Sequence, residues 1–188
     1  MKKIILFDFF GVISSEIAPI WFRRHFTDAD ADRVKMEIVT PADIGDITEK
    51  ELFLNISSLL GVSPQVVREE WMALVKIDTE LVEYIRELRK THRVYLLSNA
   101  IAPFIREILE KYSLYSLFDE VFLSSEIHLI KPNEDYFNYC LEKIGADAEN
   151  CIFTDDNKTN IKGARAVGIS AIHYTTPENY KRELMKLL

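Results

Sequence analysis

The sequence predicts an α/β fold: a Rossmann-like, doubly wound parallel sheet with an all-helical segment inserted after its first strand. Three observations carry the prediction. Short continuous apolar runs rich in β-branched and aromatic residues recur along the chain, as strands covered on both faces require. Helical patterns separate those runs from residue 93 onward, which is the strand–helix alternation of a parallel sheet. Between residues 14 and 76 the alternation stops, and only helix signals appear.

The first strand is read over residues 3–7. A helix follows over the apolar-aromatic stretch 17–26. Thr48-Glu49-Lys50-Glu51 has the form of a capping box, in which hydroxyl and carboxylate each satisfy an orphan backbone amide. It opens a helix that Gly61 closes, and Ser63-Pro64 opens another through Trp71 and Leu74. Leu81, Ile85 and Leu88 share one helical face before a strand over 93–97. Phe104, Ile108 and Leu109 share another before a strand over 120–123. Tyr136, Phe137, Cys140, Leu141 and Ile144 mark a helix ended by Gly145, followed by a strand over 151–154. A helix ended by Gly168, a weaker strand over 170–173 and a helix begun by Thr176-Pro177 complete the chain. The division expected is an α/β core of residues 1–14 and 77–188 and a helical cap of residues 15–76. A cap in that place lies over the strand ends, where such sheets bind ligands. Trp21, Met36 and Trp71 are expected to pack within it, and Gly45 to set a loop over the site. Tyr112, Tyr115 and Phe118 are read as helix-end packing.

The chain has 188 residues with 23 Lys+Arg against 30 Asp+Glu, a net charge of −7 and a pI near 5.2. Nucleic-acid binding is excluded as the default, because phosphate backbones recruit clustered Lys and Arg. Cys140 and Cys151 stand in neither metal nor redox spacing and are read as buried thiols of a reducing compartment. Asp8 interrupts the N-terminal apolar run, and no run reaches the roughly 18 residues a membrane span needs. The expected location is therefore cytoplasmic, with no membrane partner; the sequence does not specify an oligomeric state.

Asp8 ends a strand that should be buried, and a buried carboxylate is costly unless paired or bound to a metal. The strand over 93–97 runs into Ser98-Asn99, Lys131 stands before Pro132 at a helix entrance, and the strand over 151–154 runs into Asp155-Asp156-Asn157. In a parallel sheet all these groups project from one edge.

Phe7-Asp8-Phe9-Phe10-Gly11-Val12, Leu97-Ser98-Asn99-Ala100, Ile130-Lys131-Pro132-Asn133 and Phe153-Thr154-Asp155-Asp156-Asn157 resemble, in this order, the four signature motifs of the haloacid dehalogenase-like hydrolase superfamily. The inserted segment resembles that superfamily's C1-type cap, which belongs to its subfamily I. The adjacent acids and the run Asn160-Ile161-Lys162-Gly163-Ala164 resemble a branch that includes sugar-phosphate and glucose-1-phosphatase-like enzymes. The resemblance implies catalytic roles for Asp8, Ser98 and Lys131, with Asp8 as nucleophile forming an aspartyl phosphate. It implies a Mg²⁺ site from Asp8, the Phe10 carbonyl, Asp155 and Asp156, and a small phosphorylated substrate held among Phe9, Phe10, Ser98, Asn99 and Lys131. His128 stands where related chains often place glycine.

Phe10 breaks the pattern, because most phosphatases of the superfamily carry there an aspartate that serves as general acid and base, although the glucose-1-phosphatase-like branch tends to lack it. Loss of such help costs about 10²–10⁴-fold in rate. Three readings follow. The first is a phosphatase whose leaving group needs little protonation or draws a proton from the cap. The second is a 2-haloacid dehalogenase, whose halide needs no proton; the third is a non-catalytic member that binds a phosphorylated ligand or partner. The acid pair favours the first, since without a cation it would only oppose ionisation of Asp8. In the cap, Arg23, Arg24, His25, Asp43 and Asp46 are the polar candidates for facing a substrate.

Overall fold

A computed structural model describes residues 3–188. Five strands, β1 (Ile4–Phe7), β2 (Arg93–Ser98), β3 (Glu120–Leu123), β4 (Cys151–Asp155) and β5 (Ser170–His173), pair in parallel in the order β3-β2-β1-β4-β5. All five expected strands are present. β2 and β4 each run one residue beyond the expected end, because the ladder continues to pair Ser98 with Leu123 and Asp155 with His173. That extension fixes two chemically important residues to the rigid sheet.

Between β1 and β2 lie α1 (Ala18–His25), α2 (Asp28–Val34), a π-helical turn at Lys35–Val39, α3 (Thr40–Ile44), α4 (Glu49–Leu60), α5 (Pro64–Leu74) and α6 (Thr79–Arg89). The α4 capping box is formed, and Gly61 closes the helix in the left-handed region. α7 (Ala102–Lys111) follows β2, α8 (Ser124–Ile127) and α9 (Glu134–Ile144) follow β3, α10 (Lys158–Ala166) follows β4 and α11 (Pro177–Leu184) follows β5. The helices over 28–44 lack a sequence signal for a physical reason. α2 reads Asp-Ala-Asp-Ala-Asp-Arg-Val and buries only Val34, so no apolar periodicity marks it.

Strand alternation divides the core into two layers. Ile5, Phe7, Val94, Leu96 and Ile152 face α6, α7, α11 and the inserted helices; Ile4, Leu6, Tyr95, Leu97, Cys151 and Phe153 face α9 and α10. The inserted helices join the first layer through aromatic contacts: Trp71 and Phe53 lie edge-on to one another, and both meet Phe104 of α7. Arg68 of α5 bridges Glu49 of α4 and Glu107 of α7. Trp21 and Trp71 are buried as expected, but Met36 is 73% exposed because the π-helical turn rotates it outward from Val39, which takes the buried place. Tyr112 and Tyr115 are also exposed, while Phe118 is buried. Both cysteines are buried and unpaired, and burial pushes both thiols up, that of Cys151 to about 11. Among the described residues no helix is long and apolar enough to cross a membrane.

Candidate active site

In an open parallel sheet, the chain winds in opposite directions from one pair of strands, and the crevice beyond their C-terminal ends is the natural ligand site. With the order β3-β2-β1-β4-β5 that pair is β1 and β4. Asp8 immediately follows β1, its amide donating to the Thr154 carbonyl at 2.9 Å, and Asp155 ends β4. The two acids are thus placed together by sheet register alone.

Lys131 joins them. Its Nζ lies 2.9 Å from Asp8 Oδ1 and 2.7 Å from Asp155 Oδ2, with all three side chains buried or nearly so. The Lys131 backbone is held by a reciprocal pair: its N–H donates to Asn99 Oδ1 and its carbonyl accepts from Asn99 Nδ2, both at 2.9 Å. Asp155 is fully engaged, accepting also from Asn160 Nδ2 at 3.0 Å and the Asn157 amide at 2.7 Å. Burial alone would push the Lys131 ammonium down, but Asp155 and Asp8 outweigh it and hold it above its ordinary value. Burial and then the Asp155 charge raise the Asp8 carboxyl, which Lys131 only partly offsets. Asp156 is raised by burial and by Asp155.

These residues open on a cavity of about 600 Å³ between the sheet edge and the inserted helices. Asp8, Phe10, Asn99 and Asp156 line it, whereas Ser98, Lys131 and Asp155 are buried behind that lining. The Ser98 hydroxyl has no hydrogen-bond partner among the described residues. The Phe9 ring is fully buried in the core, and its amide donates to Asp8 Oδ1 at 2.7 Å, so any contact it makes to a substrate would come from the backbone. Asn99 reaches the cavity, but its amide group is committed to Lys131. Of the polar candidates in the inserted segment, Arg23 and Asp43 line the cavity, while Arg24, His25 and Asp46 are exposed outside it.

Two lining residues, Glu16 and Lys35, carried no sequence signal, each being a lone charge in a segment without a motif. Burial and then the neighbouring Asp156 raise Glu16 to about 7. Asp43 is also raised to about 7 by burial, against the opposing pull of Lys35 and Lys131. His128 adopts a left-handed conformation at φ +56, the geometry that glycine takes without strain.

The donor set fits a hard divalent cation. Asp8, Asp155 and Asp156 each bring a carboxylate oxygen within 4.8 Å of the others. Three carboxylates against one ammonium leave two negative charges, and oxygen ligands of this kind suit Mg²⁺. Gly11 completes the cradle. Its φ is +82, and a Cβ there would lie 2.4 Å from the Asp156 carboxylate.

The family model for haloacid dehalogenase-like hydrolases matches residues 2–168. A drimenol cyclase of Aspergillus calidoustus is 25% identical over 76% of this chain, which spans only 28% of that protein's length. A D-ribitol-5-phosphate phosphatase of Bacteroides thetaiotaomicron is 24% identical over 100% of this chain and 99% of its own. The crystal structure of a family enzyme from the same organism, in complex with magnesium and inorganic phosphate, superposes with a TM-score of 0.81 at 24% identity, covering 97% of this chain and 99% of that one. Asp8, Lys131 and the Asp155-Asp156 pair converge at one edge of a doubly wound parallel sheet, and the family match runs over most of the chain: it belongs to the haloacid dehalogenase-like hydrolase family.

Proposed function

We propose that the chain is a Mg²⁺-dependent phosphatase of a small phosphorylated metabolite such as a sugar or sugar-alcohol phosphate. The observation that carries the reading is the pair Asp155-Asp156 beside Asp8, with a single lysine to offset three carboxylates. A dehalogenase gains nothing from that excess of acid, whereas a phosphatase uses it to hold a cation. The relative that acts on ribitol 5-phosphate supports the same class.

In this reading Asp8 attacks phosphorus and becomes the aspartyl phosphate, and Lys131 steadies the attacking carboxylate. Ser98 has an unspent hydroxyl with which to bind a phosphoryl oxygen. Asp8, Asp155, Asp156 and the Phe10 carbonyl would hold Mg²⁺, which supplies charge to the transferring phosphoryl group when bound. Asn160, Asn157 and Asn99 position the acids and the lysine. The segment 15–76 acts as a C1-type cap over residues 1–14 and 77–188, and its cavity wall selects the substrate.

A panel of phosphate monoesters and 2-haloacids, assayed with Mg²⁺ and with EDTA, tests the reading. Phosphate release that needs Mg²⁺ and disappears in Asp8→Asn is expected. Halide release without metal would overturn it and favour the dehalogenase that Phe10 suggests.

A further inference from the structure

Phe10 leaves the leaving-group oxygen without the proton donor that phosphate ester cleavage calls on, and the cavity has few groups to replace it. Its remaining carboxylates are Glu16, Asp28, Asp32 and Asp43. Glu16 lies against Asp156, one of the acids that would hold the cation. Asp28 and Asp32 are exposed on the outer wall. Asp43 differs from all three. Like Glu16 it is partly buried, but its main chain is clamped to the core.

The clamp runs through three elements. The Ala100 amide, just past β2, donates to Ser124 Oγ at 2.9 Å, and Ser124 Oγ donates to the Asp43 carbonyl. Two residues on, Gly45 packs so tightly on α8 that a Cβ would lie 2.3 Å from the Ser125 carbonyl oxygen. Asp43 therefore lines the cavity from a main chain fixed to the core. Placement of that kind is what general acid–base work needs before any question of acidity.

We propose that Asp43 is the general acid and base of the reaction, donated by the inserted segment in place of the residue that Phe10 displaces. The inference rests on the phosphatase reading. As the bond between phosphorus and Asp8 forms, the ester P–O bond breaks, its electron pair goes to the leaving oxygen, and the Asp43 carboxyl passes its proton there to give the alcohol. The Asp43 carboxylate then takes a proton from water as that water attacks phosphorus. The phosphorus–Asp8 bond breaks, the Asp8 carboxylate returns, and phosphate leaves. The charged groups facing Asp43 are Lys35 of the π-helical turn, Lys131 of the core and Glu16. Burial among them raises the carboxyl to about 7, where both of its protonation states are accessible near neutral pH.

The test compares kcat/KM for an alkyl ester, glycerol phosphate, with that for p-nitrophenyl phosphate, whose leaving group departs without a proton. Both are assayed with Mg²⁺ in wild type, Asp43→Asn and Asp43→Glu. The alkyl-to-aryl ratio is expected to fall by about 10² or more in Asp43→Asn, with partial recovery in Asp43→Glu. Adding Phe10→Asp to Asp43→Asn should restore the alkyl ester. Equal losses on both esters, or no loss on either, would overturn the role of Asp43 while leaving the phosphatase reading in place. A wild type silent on both esters would instead remove both.

Discussion

Lys131 shows how a single side chain sets the chemistry of its neighbours. It is buried, yet two carboxylates within 2.9 Å keep it charged, and it in turn limits how far burial raises Asp8. Removing one partner of a buried ion pair leaves uncompensated charge and costs about 3–5 kcal/mol. Lys131→Met, measured by urea unfolding in EDTA at neutral pH, should lose stability in that range, and part of the loss should return when the acids are protonated. A change below about 1 kcal/mol would mean that the triad is not charge-balanced by the lysine. The identities at this scale were legible in the sequence, because Asp8, Ser98, Lys131 and the acid pair each interrupt or end an apolar strand or open a helix. Glu16 and Lys35 were not. A lone charge acquires meaning only from what faces it, and Glu16 faces Asp156, 140 positions away in the chain.

Elements determine how firmly the inserted segment meets the core. α3 docks on α8 through the Ser124 hydroxyl and the close approach at Gly45, whose φ is +89. Gly45→Ala adds a left-handed penalty of about 1–2 kcal/mol and a collision with the Ser125 carbonyl. Gly61, at φ +68 with open space around it, bears the same penalty without the collision and is the control. Gly45→Ala should therefore unfold at lower urea than Gly61→Ala and lose more kcat/KM; equal effects would mean that α3 docking does not hold the site. Helices with caps and an apolar stripe, such as α4 and α9, were readable because both signals are local. α2 and α3 were not, since their stability comes from contacts that the sequence order does not display.

At the scale of the molecule, the cavity gathers carboxylates that folding makes harder to ionise. Burial comes first among the causes for Asp8, Glu16, Asp43 and Asp156, and Glu16 and Asp43 are raised to about 7. Between the ordinary carboxylate range and about pH 7 the folded chain thus binds more protons than the unfolded one. Stability falls as pH rises through that window and levels off above it. Lys131 has the same sign of linkage, but its contribution is lost only above the ordinary lysine range, outside the window. Thermal unfolding in EDTA should show a midpoint that declines from about pH 5 to about pH 7.5. Saturating Mg²⁺ should raise the midpoint more at the upper end, by the equivalent of about 2.7 kcal/mol at a hundredfold excess over Kd. A midpoint that rises across the window in EDTA would contradict the assignment. By itself, the sequence determined the strand and helix alternation, the place of the inserted segment and the acids at the strand ends, because each is written in local apolar periodicity and in polar residues that interrupt it. Only the tertiary structure decided which charges share the cavity, that Phe9 turns into the core, and that Asp43 is held over the site. Those outcomes depend on which distant elements come into contact, and the energy of a buried charge is set by neighbours in space, not in sequence.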